Sequence, residues 1–271
     1  MADTPGGAIS LSFADLAIAA ALIVVAAVIS LLMRLRLERQ LALATVRTVV
    51  QLLMVGYVLK WVFDIEHVLL VLGVAGLMIA AAGHAAVQRV TRTFPGVLWR
   101  AFATLAFSGL ITTVTVTAAI INVEPWYKPQ YLIPLLGMVL GNGLTGVSLA
   151  LDTLLERLTE RRDEIELHLS LGATRWEAAR DALADAVRRG MIPIINTMMV
   201  VGIVSLPGMM TGQILEGADP ADAVRYQIMV MFMITAGTSV GCILAVLLAY
   251  RRLFTKHHQL NAALIRRRAP Q

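Results

Sequence analysis

Cysteine occurs once in the 271 residues, at Cys242, so no disulfide can form within the chain. A thiol-based metal cage is excluded for the same reason. Lysine is almost as scarce: Lys60, Lys128 and Lys256 are all there is, and none follows a glycine. A phosphate-cradling loop of the form Gly, four residues, Gly-Lys-Ser/Thr is therefore missing, and the chain is not expected to be its own Walker-type ATPase. Charged side chains make up 15% of the positions, well short of the quarter usual in soluble domains. No short apolar stretch leads into a small-residue cleavage site; the first apolar run continues from Ile9 to Met33, ends in arginines, and is expected to stay as an anchor. Paired carboxylates, histidine clusters and nucleophile-base pairs are also lacking at membrane depth, so an enzyme is not expected.

What the chain has is apolar length. Hydrophobic residues fill 58% of the positions, and the mean hydropathy is +0.75, the composition of an integral membrane protein. Seven segments reach or approach the roughly 20 apolar residues that cross a bilayer as a helix. They are Ile9 to Met33, Leu41 to Phe63, His67 to Val87, Leu98 to Ile121, Tyr131 to Leu151, Met191 to Leu206 and Val224 to Tyr250. The sixth is short and runs into Pro207 and Gly208, so a break or a re-entrant continuation is expected there. The fold class is thus all-α and polytopic, about seven transmembrane helices in one permease domain over 1–271, with an amphipathic helix pair between spans five and six. Of the 23 lysines and arginines, 19 follow spans one, three, five and seven, whereas Asp64, Glu66, Glu124, Glu216, Asp219 and Asp222 gather on the other side. Short loops rich in Lys and Arg stay in the cytoplasm, which puts the amino terminus outside and the carboxyl terminus inside.

Residues 151–190 hold 16 of the 41 charged side chains, nine acids and seven arginines. A segment meant only for anionic lipid would be one-signed and basic, so this mixture faces a soluble protein, and no nucleic-acid partner is expected. Leu151, Leu154, Leu155, Leu158, Ile165 and Leu169 keep helical spacing, and Arg162 interrupts their stripe. Gly172 and Ala173 mark a corner, after which Thr174 and Glu177 form a capping-box pattern and Trp176, Ala179, Leu183 and Val187 line a second apolar face.

The run EIELHLSLGAT, with Glu166 six residues ahead of Gly172, resembles the transmission loop of ATP-binding-cassette permeases. It departs from the importer signature after the corner, because Met191-Ile192-Pro193 comes late. A closer resemblance is to the FetB/YbbM-type family of small permeases, which includes plant aluminium-tolerance permeases. It is carried by TVRTVVQLLMVGYVL at 45–59, MVLGNGLTGVSLALD at 138–152 and MIPIINTMMVVGIVSLPGMMTGQILEGADPADAVRYQIMVMF at 191–232. That resemblance implies a homodimeric permease in the bacterial inner (plasma) membrane, working with a separate cytoplasmic ATPase subunit and exporting iron. ATP and Mg would be bound on the partner, and this chain would hold no cofactor. Glu164, Glu166, Gly172, Ala173, Thr174 and Trp176 are then the residues expected to meet the ATPase.

Polar and sulfur-bearing residues within or beside the spans mark a candidate translocation path: Arg47, Gln51, Asn142, Asn196, Met198, Met199, Met209, Met210, Gln213 and Glu216. Each has a structural alternative. Arg47 can snorkel to the headgroups, and the small-residue patches around Asn142 and Asn196 suit helix packing with amides bonding across it. Methionine suits soft metals but is also an adaptable packing residue, and no metal site is assigned. His84 reads as an interhelical hydrogen-bonding residue. A secondary transporter or channel not driven by ATP is the alternative function, and it would need intramembrane acids, of which Asp15 is the one candidate.

Overall fold

A chain of alternating apolar runs and arginine clusters has few ways to satisfy its backbone in lipid, and helices are the way taken. The computed structural model describes residues 12–268. Among them run nine α-helices: α1 (Phe13–Leu32), α2 (Glu38–Ile65), α3 (Val68–Gln88), α4 (Val97–Thr115), α5 (Pro129–Glu160), α6 (Arg162–Ser170), α7 (Arg175–Val200), α8 (Gly208–Leu215) and α9 (Pro220–Leu253). Six of these, α1 to α5 and α9, are long and apolar enough to cross a membrane by length and composition. The expected start of the first span at Ile9 lies outside the described residues.

The sixth expected span differs from its sequence reading. It is the second half of α7, a helix that begins at Arg175, passes Gly190 and stops at Val200 rather than Leu206. Only about 15 Å of helix follows Gly190, half of a hydrocarbon core of about 30 Å. The chain then turns at Val201 to Ser205, where the Gly202 N–H donates to the Ser205 carbonyl at 2.9 Å, and resumes in the short α8. The charged interval also divides differently from a simple pair of helices. Residues 151–160 continue α5, the helix breaks at Arg161, one residue before the expected interruption at Arg162, and α6 is a separate helix of nine residues.

α5 lies at the centre, packed against α3, α4, α7 and α9. Its Leu132, Leu135, Leu136, Leu154, Leu155 and Leu158 are all fully buried. At 32 residues it is about 48 Å long, so it must project beyond the membrane. Its projecting leucines share one core with Ala179, Ala182, Leu183 and Ala186 of α7. Where α5, α7 and α9 meet, side chains vanish: a Cβ on Gly190 would fall 2.7 Å from the Gly146 carbonyl oxygen, 2.8 Å from Cys242 Sγ and 2.9 Å from Ala150 Cβ. Lipid is as apolar as leucine, so helices associate through such close backbone contact.

The arginine-rich ends come together. Thr91 donates from N and Oγ1 to Asp152 Oδ1 at 2.8 and 2.7 Å, and Arg92 pairs with Glu156 at 3.6 Å. The two-residue strand β1 (Arg92–Thr93) pairs antiparallel with β2 (Arg266–Arg267), which ties the carboxyl-terminal tail to the turn between α3 and α4. In contrast, the α1–α2 hairpin is barely attached to the bundle: Val62 is the buried residue of α2, and α1 packs chiefly on α2.

Gly190→Ala is expected to cost about 1–3 kcal/mol by overpacking, whereas Gly141→Ala, with nothing within 4 Å of its added Cβ, leaves stability near that of the parent. Thermal unfolding of the two variants in detergent measures the difference.

Candidate functional site

The corner expected at Gly172 is a closed hydrogen-bonded cap. Gly172 sits at φ +91°, in the left-handed region that side chains with a Cβ avoid. Its N–H donates to the Leu169 carbonyl at 3.2 Å, and the Ala173 N–H reaches the His168 carbonyl at 3.0 Å, the paired bonds of a Schellman ending. Two residues on, the capping box forms as its sequence pattern indicated. Thr174 N and Oγ1 donate to Glu177 Oε2 at 2.7 and 2.8 Å, and Glu177 N donates back to Thr174 Oγ1 at 3.3 Å. The Thr174 backbone N–H, then its hydroxyl, hold the Glu177 carboxyl below its ordinary range. On α6, Arg162 Nε donates to Glu166 Oε1 at 2.7 Å, a bond that raises the guanidinium pKa. Glu164 lies 4.0 Å from Arg161.

With Arg162 paired to Glu166 along the helix, α6 turns Ile165 inward and leaves apolar groups at the tip. Leu171 is 78% exposed, Leu167 57% and Trp176 49%. These three flank the corner at the end of the bundle where the charged residues gather. Trp176 touches Tyr250 edge-on, with ring centroids 5.8 Å apart.

One part of this surface escaped the sequence reading. The segment after α9 folds back beside the corner: His258 Nδ1 accepts from the Arg175 N–H at 2.8 Å, and Arg175 Nη1 donates to the Thr255 carbonyl at 3.2 Å. Glu166, Leu169, Thr255, His258 and Gln259 line a groove of about 460 Å³ there. Nothing in the spacing of 255–261 signals this return, because it depends on the end of α9 lying beside the start of α7.

The candidate path residues are not gathered in one place. Arg47 and Gln51 are exposed on α2, and neither side chain has a hydrogen-bond or ion-pair partner among the described residues. Asn142 is exposed too, and its Nδ2 donates to the Met138 carbonyl of its own helix at 2.9 Å rather than bonding across a helix contact. Close approach is supplied by Gly146 in its place. Asn196 and Met199 face outward, Glu216 ends α8 exposed, and Gln213 is half-buried. Met209 packs half-buried beside a core of Val230, Met233 and Ile234. His84 bonds Gln88 of its own helix at 2.7 Å, so it is not interhelical. Met198 and Met210 do come together, in a cavity of about 410 Å³ between α7, α8 and α9. Met231 and Gln227 line it as well; Gln227 was missed, although a lone amide in the apolar α9 is a signal the sequence carries. Asp15 caps its own helix, accepting from Ser12 N and Oγ at 2.8 and 2.7 Å.

The sequence profile of the uncharacterised protein family UPF0014 matches residues 13–254. The UPF0014 membrane protein YjkA of Bacillus subtilis is 39% identical over 224 residues, 83% of this chain and 88% of that protein. The Escherichia coli protein named "Probable iron export permease protein FetB" is 35% identical over 91% of this chain and 93% of its own length. Protein ALUMINUM SENSITIVE 3 of Arabidopsis thaliana is 32% identical over 90% of this chain and 88% of its own. No solved structure matches the chain. A family profile over nearly all the described residues, together with relatives of this identity and coverage, places the chain in the UPF0014 family of membrane proteins, with FetB and the plant aluminium-tolerance proteins among its relatives.

Proposed function

We propose that this chain is the membrane-spanning permease subunit of an ATP-binding-cassette transporter that exports metal, iron by analogy with the name of its E. coli relative. ATP and Mg are bound by a separate cytoplasmic subunit docking on residues 151–190, and this chain itself is no enzyme. The observation that carries the reading is the apolar tip of Leu167, Leu171 and Trp176 at a rigid corner outside the spans. Exposed apolar groups on a water-facing knob favour a protein partner, since water gains nothing from them. The end that bears the tip is the arginine-rich one, which supports a multi-pass plasma-membrane protein with its amino terminus outside and its carboxyl terminus in the cytoplasm.

The detached α1–α2 hairpin supports a homodimer. Arg47 lies nine residues from Glu38 along α2, about 14 Å of helix, and a donor-only side chain at that depth is costly unless it finds acceptors. A second copy supplies them. A secondary transporter is the weaker reading, because Asp15 is engaged at the end of its own helix by Ser12.

Leu171→Asp is expected to abolish copurification with the co-expressed cassette ATPase while leaving membrane insertion intact; undiminished copurification counts against the docking surface. Gly172→Val strains the left-handed corner by about 1–2 kcal/mol and is expected to lower transport-coupled ATP hydrolysis. Metal flux in sealed vesicles that needs neither ATP nor the ATPase would sink the proposal as a whole. Arg47→Ala is expected to shift the detergent-solubilised protein from dimer toward monomer in light scattering, and an unchanged mass removes Arg47 from the interface.

A further inference from the structure

The cavity between the end of α7, α8 and the first half of α9 has a donor set that nothing above uses. One methionine lines it from each helix: Met198, Met210 and Met231. Gln227 lines it from α9; the residue is only 7% exposed, and its Oε1 accepts no hydrogen bond from the described residues. A buried acceptor left without a donor is unfavourable by its full desolvation, so such an atom calls for something that completes it. The rest of the lining is aliphatic, aromatic or glycine, with no carboxylate, imidazole or thiol.

That composition selects its ligand. Thioethers are soft donors that suit thiophilic ions, while hard cations take carboxylates and water. The chamber is also uncharged. The cost of moving an ion out of water rises with the square of its charge, so a divalent or trivalent ion entering here lacks the anionic ligands that would offset that cost, and a monovalent ion needs far less. Thr235 Oγ1 lies 2.9 Å from Met198 Sδ and 2.8 Å from the Met231 carbonyl oxygen, which ties α9 to the methionine of α7. The volume exceeds that of a bare ion. Methionine, with three rotatable bonds and a polarisable sulfur, can close on one, and α8 has no buried residue to hold it rigid.

We propose that this chamber binds a thiophilic monovalent metal ion, Cu(I) or its analogue Ag(I), through the sulfurs of Met198, Met210 and Met231, with Gln227 Oε1 as a further donor. As a substrate site it rests on the transport reading for that meaning and makes a thiophilic monovalent ion, in place of iron, the exported metal; the binding itself does not depend on that reading.

The test uses the purified full-length protein in detergent, in a Cys242→Ala background that removes the single thiol. Cu(I) is titrated anaerobically against a chromophoric chelator, and Ag(I) serves as a check free of redox chemistry. Binding is expected to weaken roughly tenfold or more in the Met198→Leu, Met210→Leu, Met231→Leu triple variant, swaps that nearly conserve volume. Fe(II) is expected not to compete. X-ray absorption at the copper edge of the parent protein is expected to show sulfur neighbours, and this measurement holds even where the triple variant fails to fold. Unchanged affinity in a folded triple variant, equal competition by Fe(II), or a copper shell without sulfur each overturns the assignment. No ATPase is present in the titration, so its failure leaves the docking and efflux experiments to decide the transport reading separately.

Discussion

Everything else in this protein hangs on how closely α5, α7 and α9 approach at Gly146, Gly190 and Cys242. In water, burying leucine would draw helices together, but in a bilayer the leucines are as comfortable in lipid as in protein. What remains is dispersion between closely packed atoms, and that falls off within fractions of an ångström. A Cβ at residue 190 would sit 2.7 Å from a backbone oxygen that has nowhere to go. The absence of one side chain there sets the spacing of the central helices, and so sets which residues of α7 meet α5 above and below it.

α7 makes that contact mechanically interesting. It is one helix of 26 residues, about 39 Å long, with the Thr174 cap at one end, Gly190 near its middle and Met198 close to the other. A displacement of the corner is therefore carried along a continuous hydrogen-bonded rod past the tightest packing in the molecule. Pro193 weakens the rod locally, since it has no N–H to give to the carbonyl four residues back. In the proposed transporter, this helix joins the ATPase-facing surface to the chamber beside α8 without any intervening loop.

The ion pairs of 151–190 contribute little to holding the bundle together. Most are exposed contacts within one helix, such as Arg162 to Glu166 or Arg188 to Asp185, and pairs of that kind are worth about 1 kcal/mol or less. Their more consequential effect is to satisfy the charges locally, so that the tip of the corner presents leucine and tryptophan rather than unpaired arginine. The projecting part of the bundle is held by its buried leucines and alanines instead, which is how a soluble core is built.

By itself the sequence determined the elements. Apolar length identified six of the seven expected spans, the arginine distribution identified which ends lie together, and Gly172, Thr174 and Glu177 announced the corner and its cap, because these depend on bonds between residues a few positions apart. It also foresaw the break near Pro207, though not that the helix would start as early as Arg175; hydropathy sees a charged half and an apolar half, while the backbone bonds run through both. Only the tertiary structure decided what meets what. The return of His258 to the start of α7, the outward aim of Asn142 and Asn196, and the gathering of Met198, Met210, Met231 and Gln227 while the other path candidates scatter all depend on helix rotation and spacing. Those are set by side-chain contacts between segments distant in sequence, and an apolar helix in an apolar solvent has no polar face to reveal its rotation beforehand.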